Sequence, residues 1–178
     1  LSSKTACGHQ SRNRRRNHEH RIKRAIDIDP QLEGSKFGLS FKDLELDKWY
    51  DDVVEYNGGT PGIISIDGVS YAHYFISGIM GRAIGGEHHA YSLLQKQYSS
   101  CTQGHSHLAD LAVRTGVGGR KIIGLVAGVY QDYHSGWAGE SNSLWWRGVV
   151  VKRFVEDGIY DPQFVSIESL RKTYGPAS

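Results

Sequence analysis

Residues 63–73 read Ile63-Ile64-Ser65-Ile66-Asp67-Gly68-Val69-Ser70-Tyr71-Ala72-His73, two β-rich runs on either side of an Asp-Gly pair. Asp-Gly accepts positive φ at both central positions of a tight turn, so this stretch predicts a two-residue hairpin. Val69, Tyr71 and His73 alternate onto one face of the second strand, which sets a histidine at its end. Toward the C-terminus, Ser77–Gly86 is small and glycine-rich. Residues 87–98 then predict a helix with Ala90, Leu93, Leu94 and Tyr98 on its inner side. Ser99–Gly104 leads into His105-Ser106-His107. Apolar runs at 121–130, 145–154 and 163–167 predict three strands. Asp157-Gly158 and Asp161-Pro162 read as the turns between the last two, and Gly116–Arg120 as a further turn that lacks the Lys-Ser/Thr of a phosphate loop.

Working toward the N-terminus, 57–62 is a loop by composition, and Phe37–Tyr56 predicts an amphipathic helix broken near Asp47. A short helix over 18–28 should stop before Pro30, because the residue preceding a proline disfavours helical geometry. Residues 1–16 carry no apolar period and are expected to be an irregular, basic arm. Helices and strands interleave through the middle and strands dominate the end. The expected class is therefore α/β or α+β on a mixed sheet.

The chain has 178 residues, 22% charged and 39% from the apolar set, a globular composition. No apolar run is long enough to span a membrane and no apolar leader follows Leu1, so no membrane partner is expected. Cys7 and Cys101 form no framework and no C-x-x-C pair, which points to a reducing, cytoplasmic setting. Eight Lys/Arg against Glu19 alone give residues 1–24 a charge of +7; since the chain carries +2, the remainder carries −5. Arg14, Arg15, Arg16 and Arg21 lie in this arm, where they suit nucleic-acid phosphates.

Nine histidines are many for this length, and seven of them fall at four points: Asn17-His18-Glu19-His20, His73, His88-His89 and Gly104-His105-Ser106-His107. Neutral imidazole is the commonest ligand for transition metals, and a H-x-H pair on a turn can present two rings in different directions. Glu87-His88-His89 reads as a solvated helix start, and Tyr133, Trp137, Trp145 and Trp146 read as core aromatics rather than a stacking surface for bases.

Asn17-His18-Glu19, then a strand-end His73, then Gly104-His105-Ser106-His107, taken in that order, resembles the second half of the calcineurin-like metallophosphoesterase pattern. That pattern runs D-x-H, G-D-x-x-D, G-N-H-E, a lone His and G-H-x-H. Arg16 stands where the family has the glycine of its third motif, and the first two motifs do not occur before Asn17. The resemblance implies a metallophosphoesterase-type mixed β-sheet sandwich with flanking helices over residues 17–178, incomplete at its N-terminus.

The resemblance also implies Asn17, His73 and His105 as ligands of one divalent metal ion (Mn, Fe or Zn) and His107 as a ligand of a second. It implies His18 as the group that steadies the phosphate or protonates the leaving oxygen, with Glu19 orienting it. Paired metals would polarise the phosphoryl oxygens and an imidazole would act as general acid. A phosphoester substrate is then expected, a nucleic-acid phosphodiester by preference. With the first two motifs missing, the chain is expected to be inactive unless an oligomeric partner or a completing chain supplies ligands. The alternative is a non-catalytic protein that binds nucleic acid through its basic arm.

Overall fold

The computed structural model describes residues 13–14, 17–32 and 40–175, which divide into two compact units, 1–62 and 63–178. In the first unit β1 (Asn13–Arg14) is followed by α1 (Asn17–Ile28), α2 (Leu46–Trp49) and β2 (Val53–Val54), and β1 pairs with β2 in parallel. Helix α1 ends before Pro30, as expected, and presents Ile22 and Ile26, one turn apart, as its half-buried residues. The helix expected over 37–56, broken near Asp47, forms over the described residues 40–56 only as two short pieces with the break at Glu45. Phe41–Leu44 makes a single 3₁₀ turn and α2 only four residues, because Glu45 between them takes a left-handed φ of 43°. Phe37 lies outside the described residues.

In the second unit the Asp67-Gly68 hairpin forms as expected. β3 (Ile64–Ile66) and β4 (Val69–Tyr71) pair antiparallel across a turn whose two φ angles are 48° and 78°. β4 stops at Tyr71, so His73 lies just past the strand rather than on it. β5 (Ile76–Ser77) and β6 (Arg82–Ala83) make a small separate ribbon, and α3 (His89–Gln97) follows. β7 (Cys101–Gln103), β8 (Ala109–Thr115) and β9 (Lys121–Ala127) complete a five-stranded sheet in the order β3-β4-β7-β9-β8. β4, β7 and β9 run parallel, while β3 and β8 are antiparallel edges. The protein is thus mixed α/β on a mixed sheet with flanking helices.

Strands β7 and β8 escaped the sequence reading. β7 is only three residues long, and β8 alternates small, charged and apolar residues because its outer side stays wet. β10 (Gly148–Glu156) and β11 (Ile159–Ser166) form a second antiparallel sheet across Asp157-Gly158, and α4 (Ile167–Tyr174) closes the unit. Asp161-Pro162 is not a turn. Pro162 pairs opposite Lys152 inside β11, which among the described residues has no strand on its other side and so tolerates a missing N–H.

The sheet is covered on both faces. Against α3 lie Ala72, Cys101 and Val126, packed with Ala90 and Leu93 of the helix. Against the β10–β11 hairpin lie Val69, Tyr71 and Ile123, packed with Val155, Ile159 and Tyr160. Burial pushes the Cys101 thiol up to about 12, so it stays a neutral packing group. Tyr98, expected on the inner side of α3, is 81% exposed. It occupies the left-handed C-cap position, with φ 54°, which turns it out of the helical stripe.

Gly124 on β9 sits directly beneath α3, and a Cβ there would collide with the Ala90 carbonyl oxygen and press on Leu94. The backbone of the helix cannot yield without lifting the whole inner stripe. Gly124→Ala should therefore lower unfolding free energy by about 1–3 kcal/mol. Urea denaturation would show a reduced midpoint with an unchanged slope; an unchanged midpoint would contradict this packing.

Candidate functional site

His73 and His105 follow adjacent parallel strands, β4 and β7, at their carboxyl ends, where open α/β sheets place ligands. Gly104 N–H donates to the His73 carbonyl at 3.2 Å, carrying the strand pairing two residues past the ladder. The rings consequently meet, with His105 Nδ1 at 3.0 Å from His73 Nε2 and the ring planes at 79°. Tyr74 flanks both rings, its centroid 4.8 Å from that of His105 and 5.7 Å from that of His73.

Gln103, 1% exposed, holds this approach in place. Its side-chain oxygen accepts from Phe75 N–H at 3.3 Å, and its Nε2 donates to the Ile84 carbonyl at 3.2 Å. One buried amide on β7 thereby fixes the chain just after His73. Nothing in the sequence marked Gln103 except its place immediately before Gly104-His105.

The loop from His105 to Asp110 is tied to the start of α3 twice. His89 Nδ1 lies 3.0 Å from Ser106 Oγ, and the Asp110 carboxylate accepts the Ala90 N–H at 2.8 Å. Asp110 thus caps α3 from a different strand, where His88, the residue in the N-cap position, makes no side-chain cap. A carboxylate at a helix N-terminus is favoured by the orphan amides and the helix dipole together. His89 is 8% exposed, not the solvated helix start read from the sequence.

Burial pulls the His89 pKa below its ordinary value, with Asp110 opposing the shift. Desolvation by its neighbours, and then the nearby His89, likewise lower the His105 pKa. Both shifts favour neutral imidazole, the form that donates a lone pair.

His107 is brought beside a different set of groups. Its φ of 62° is left-handed, and its ring stands edge-on to Trp145, with centroids 4.3 Å apart, and to Trp137, with centroids 6.5 Å apart. The His107 carbonyl accepts the Trp146 N–H at 3.0 Å, and Gly128 N–H donates to the Leu108 carbonyl at 2.9 Å. The four aromatics expected in the core therefore divide. Trp145 and Trp146 are both half-buried, the first beside His107 and the second edge-on to Phe164 and against Gly128 and Gly148, while Trp137 and Tyr133 are 80% and 67% exposed.

Asn17, His18 and Glu19 open α1 in the first unit, and Arg21 lies on its exposed side. Arg14 lies in β1; Arg15 and Arg16 fall outside the described residues. Among the described residues, no group of three or more His, Cys, Asp or Glu side chains converges as a metal cage. No described helix is long and apolar enough to cross a membrane. No family model, curated protein or solved structure matches the chain.

The His73–His105 pair is hydrogen-bonded, one ring N–H donating to the other ring's bare nitrogen, and a cation would take the place of that shared proton. Two imidazole nitrogens bound to one tetrahedral Zn²⁺ at about 2.0–2.1 Å would stand roughly 3.3 Å apart. The observed 3.0 Å requires only a small opening.

The lowered His89 pKa has a consequence for stability. Below the ordinary value of 6.5 the unfolded chain takes up a proton that folded His89 resists. Stability is complete above pH 6.5 and falls as the pH drops from there through the folded pKa. His105 acts in the same direction. The thermal midpoint should decline through this window, and His89→Gln should flatten part of the decline. Equal slopes for the two proteins would show that His89 is not the group being charged.

Proposed function

We propose that the protein acts on phosphoesters, with His73 and His105 holding a divalent cation (Mn, Fe or Zn) at the carboxyl ends of β4 and β7. The observation that supports this most directly is the 3.0 Å convergence of His73 Nε2 and His105 Nδ1. The order of motifs resembling a metallophosphoesterase supports it from the sequence. A cation bound there would act as a Lewis acid toward a phosphoryl oxygen.

The chain's own residues prepare the position. Gln103 sets the separation of the two histidines by anchoring the backbone after His73. His89 and Asp110 restrain the loop that carries His105. The lowered His105 pKa keeps its ring neutral near pH 7 and ready to donate. His107, beside Trp145 and Trp137, keeps the second-metal role that the resemblance implies, on motif order alone. His18 and Glu19 keep the acid and orienting roles that the resemblance implies, on motif order alone.

Elemental analysis of the purified protein should find about one divalent ion per chain. His105→Ala and His73→Ala should each lose it, with affinity falling at least 10–100-fold, the effect of merely disturbing a ligand's outer partners. Hydrolysis of bis(p-nitrophenyl) phosphate should disappear with the metal. A metal-free protein whose nucleic-acid affinity falls steeply with salt would instead assign the basic arm the leading role and end the hydrolase reading.

A further inference from the structure

Trp137 is the outermost ring of a short stack that starts at the G-H-x-H loop. His107 stands edge-on to Trp145 at 4.3 Å, and Trp145 lies 5.6 Å from Trp137 with the planes at 49°. The Arg147 guanidinium carbon is 5.7 Å from the Trp145 ring centroid. Trp137 is 80% exposed, so most of a large aromatic ring is turned to water.

An exposed tryptophan on a loose loop would carry little meaning, but this loop is held at several points. Asn142, 4% exposed, accepts the Ser135 N–H at 3.0 Å and donates to the Ser135 and Gly139 carbonyls at 2.8 Å each. Arg147 Nη1 donates to the Asn142 carbonyl at 3.1 Å, and Gln131 Nε2 donates to Ser135 Oγ at 2.8 Å. The turn that presents Trp137 is therefore built around a buried, fully engaged amide. Such preorganisation reduces the ordering cost of binding a ligand.

The neighbours of the ring indicate what it receives. Gly136, Ala138, Gly139, Glu140 and Ser141, its neighbours in the turn, are small or polar and leave the Trp137 ring uncovered. A flat, accessible ring of this kind suits another planar ring. His105 and His107 are two residues apart, which limits the separation of their Cα atoms to about 7 Å. The stack therefore begins beside the imidazole pair.

We infer that Trp137, backed by Trp145 and His107, is a stacking platform for a nucleobase, so that the phosphoester recognised here is a nucleotide or a nucleic-acid end. This inference takes the location of the phosphate from the reading proposed above, while the platform itself rests on the geometry of the rings. Base-on-aromatic stacking is tolerant of base identity, so the platform distinguishes nucleotides from base-free phosphates rather than one base from another.

The test is calorimetric titration of the full chain with AMP and, separately, with ribose 5-phosphate, together with tryptophan fluorescence. AMP should bind at least about fivefold more tightly than ribose 5-phosphate, the lower end of what one stacked base contributes. It should also quench the fluorescence. In Trp137→Ala that preference should vanish, and in Trp137→Phe most of it should remain, with circular dichroism confirming an unchanged fold. Equal binding of the two ligands by the unaltered protein overturns the platform, as does a preference that survives Trp137→Ala. Metal content and bis(p-nitrophenyl) phosphate hydrolysis, measured on the same samples, judge the phosphoester reading separately. A base preference without metal would refute that reading alone, and metal with hydrolysis but no base preference would refute the platform alone.

Discussion

The second unit depends on one buried side chain doing the work of backbone. After β4 the chain leaves the sheet, makes the small β5–β6 ribbon and enters α3, and a segment of this kind would leave buried amides and carbonyls unpaired. Gln103 supplies two partners at once, one for Phe75 and one for Ile84. An apolar residue of similar size would fill the space and orphan both groups, each at a cost of about 1–3 kcal/mol. The same bonds locate His73 against His105, so the requirement for satisfied polar groups and the geometry of the site have a common cause.

How legible the fold was depended on whether each element carried its own signal. The β3–β4 hairpin announces itself through Asp67-Gly68, and α1 through its stop at Pro30. Helix α3 shows in the spacing of Ala90, Leu93 and Leu94, all of which are buried. The elements that escaped notice draw their definition from elsewhere in the chain. β7 has three residues and exists because it lies between β4 and β9. The first turn of α3 is capped by Asp110, twenty residues away, where any local search for a cap fails. Conversely, the apolar spacing of 37–56 suggested longer helical pieces around its break near Asp47; the left-handed Glu45 makes that break, and only a 3₁₀ turn and four helical residues flank it.

The candidate site shows the same division. The histidine motifs were visible as motifs, and the structure brings His73 and His105 together while setting His107 among tryptophans. The roles of His89 and Gln103 were not visible, because a buried imidazole beside a serine and a buried amide between two loops have no spacing rule. Trp137 and Trp146 could not be distinguished in sequence, both being aromatic residues near a valine-rich strand. Gly128 and Gly148 decide the matter for Trp146, which fills the room those glycines leave.

Lys152 links the β10–β11 hairpin to the sheet. Its ammonium donates to Thr102 Oγ1 at 2.6 Å and lies 4.1 Å and 4.4 Å from the Tyr71 and Tyr160 ring centroids. The hairpin itself closes across two residues, whereas this anchor joins residues fifty positions apart. Local closure loses little chain entropy, and the long connection is rewarded only once β4 and β7 already stand side by side. The hairpin is thus the locally closed part of the unit, and Lys152 is the contact that carries the long chain separation to the histidine-bearing sheet.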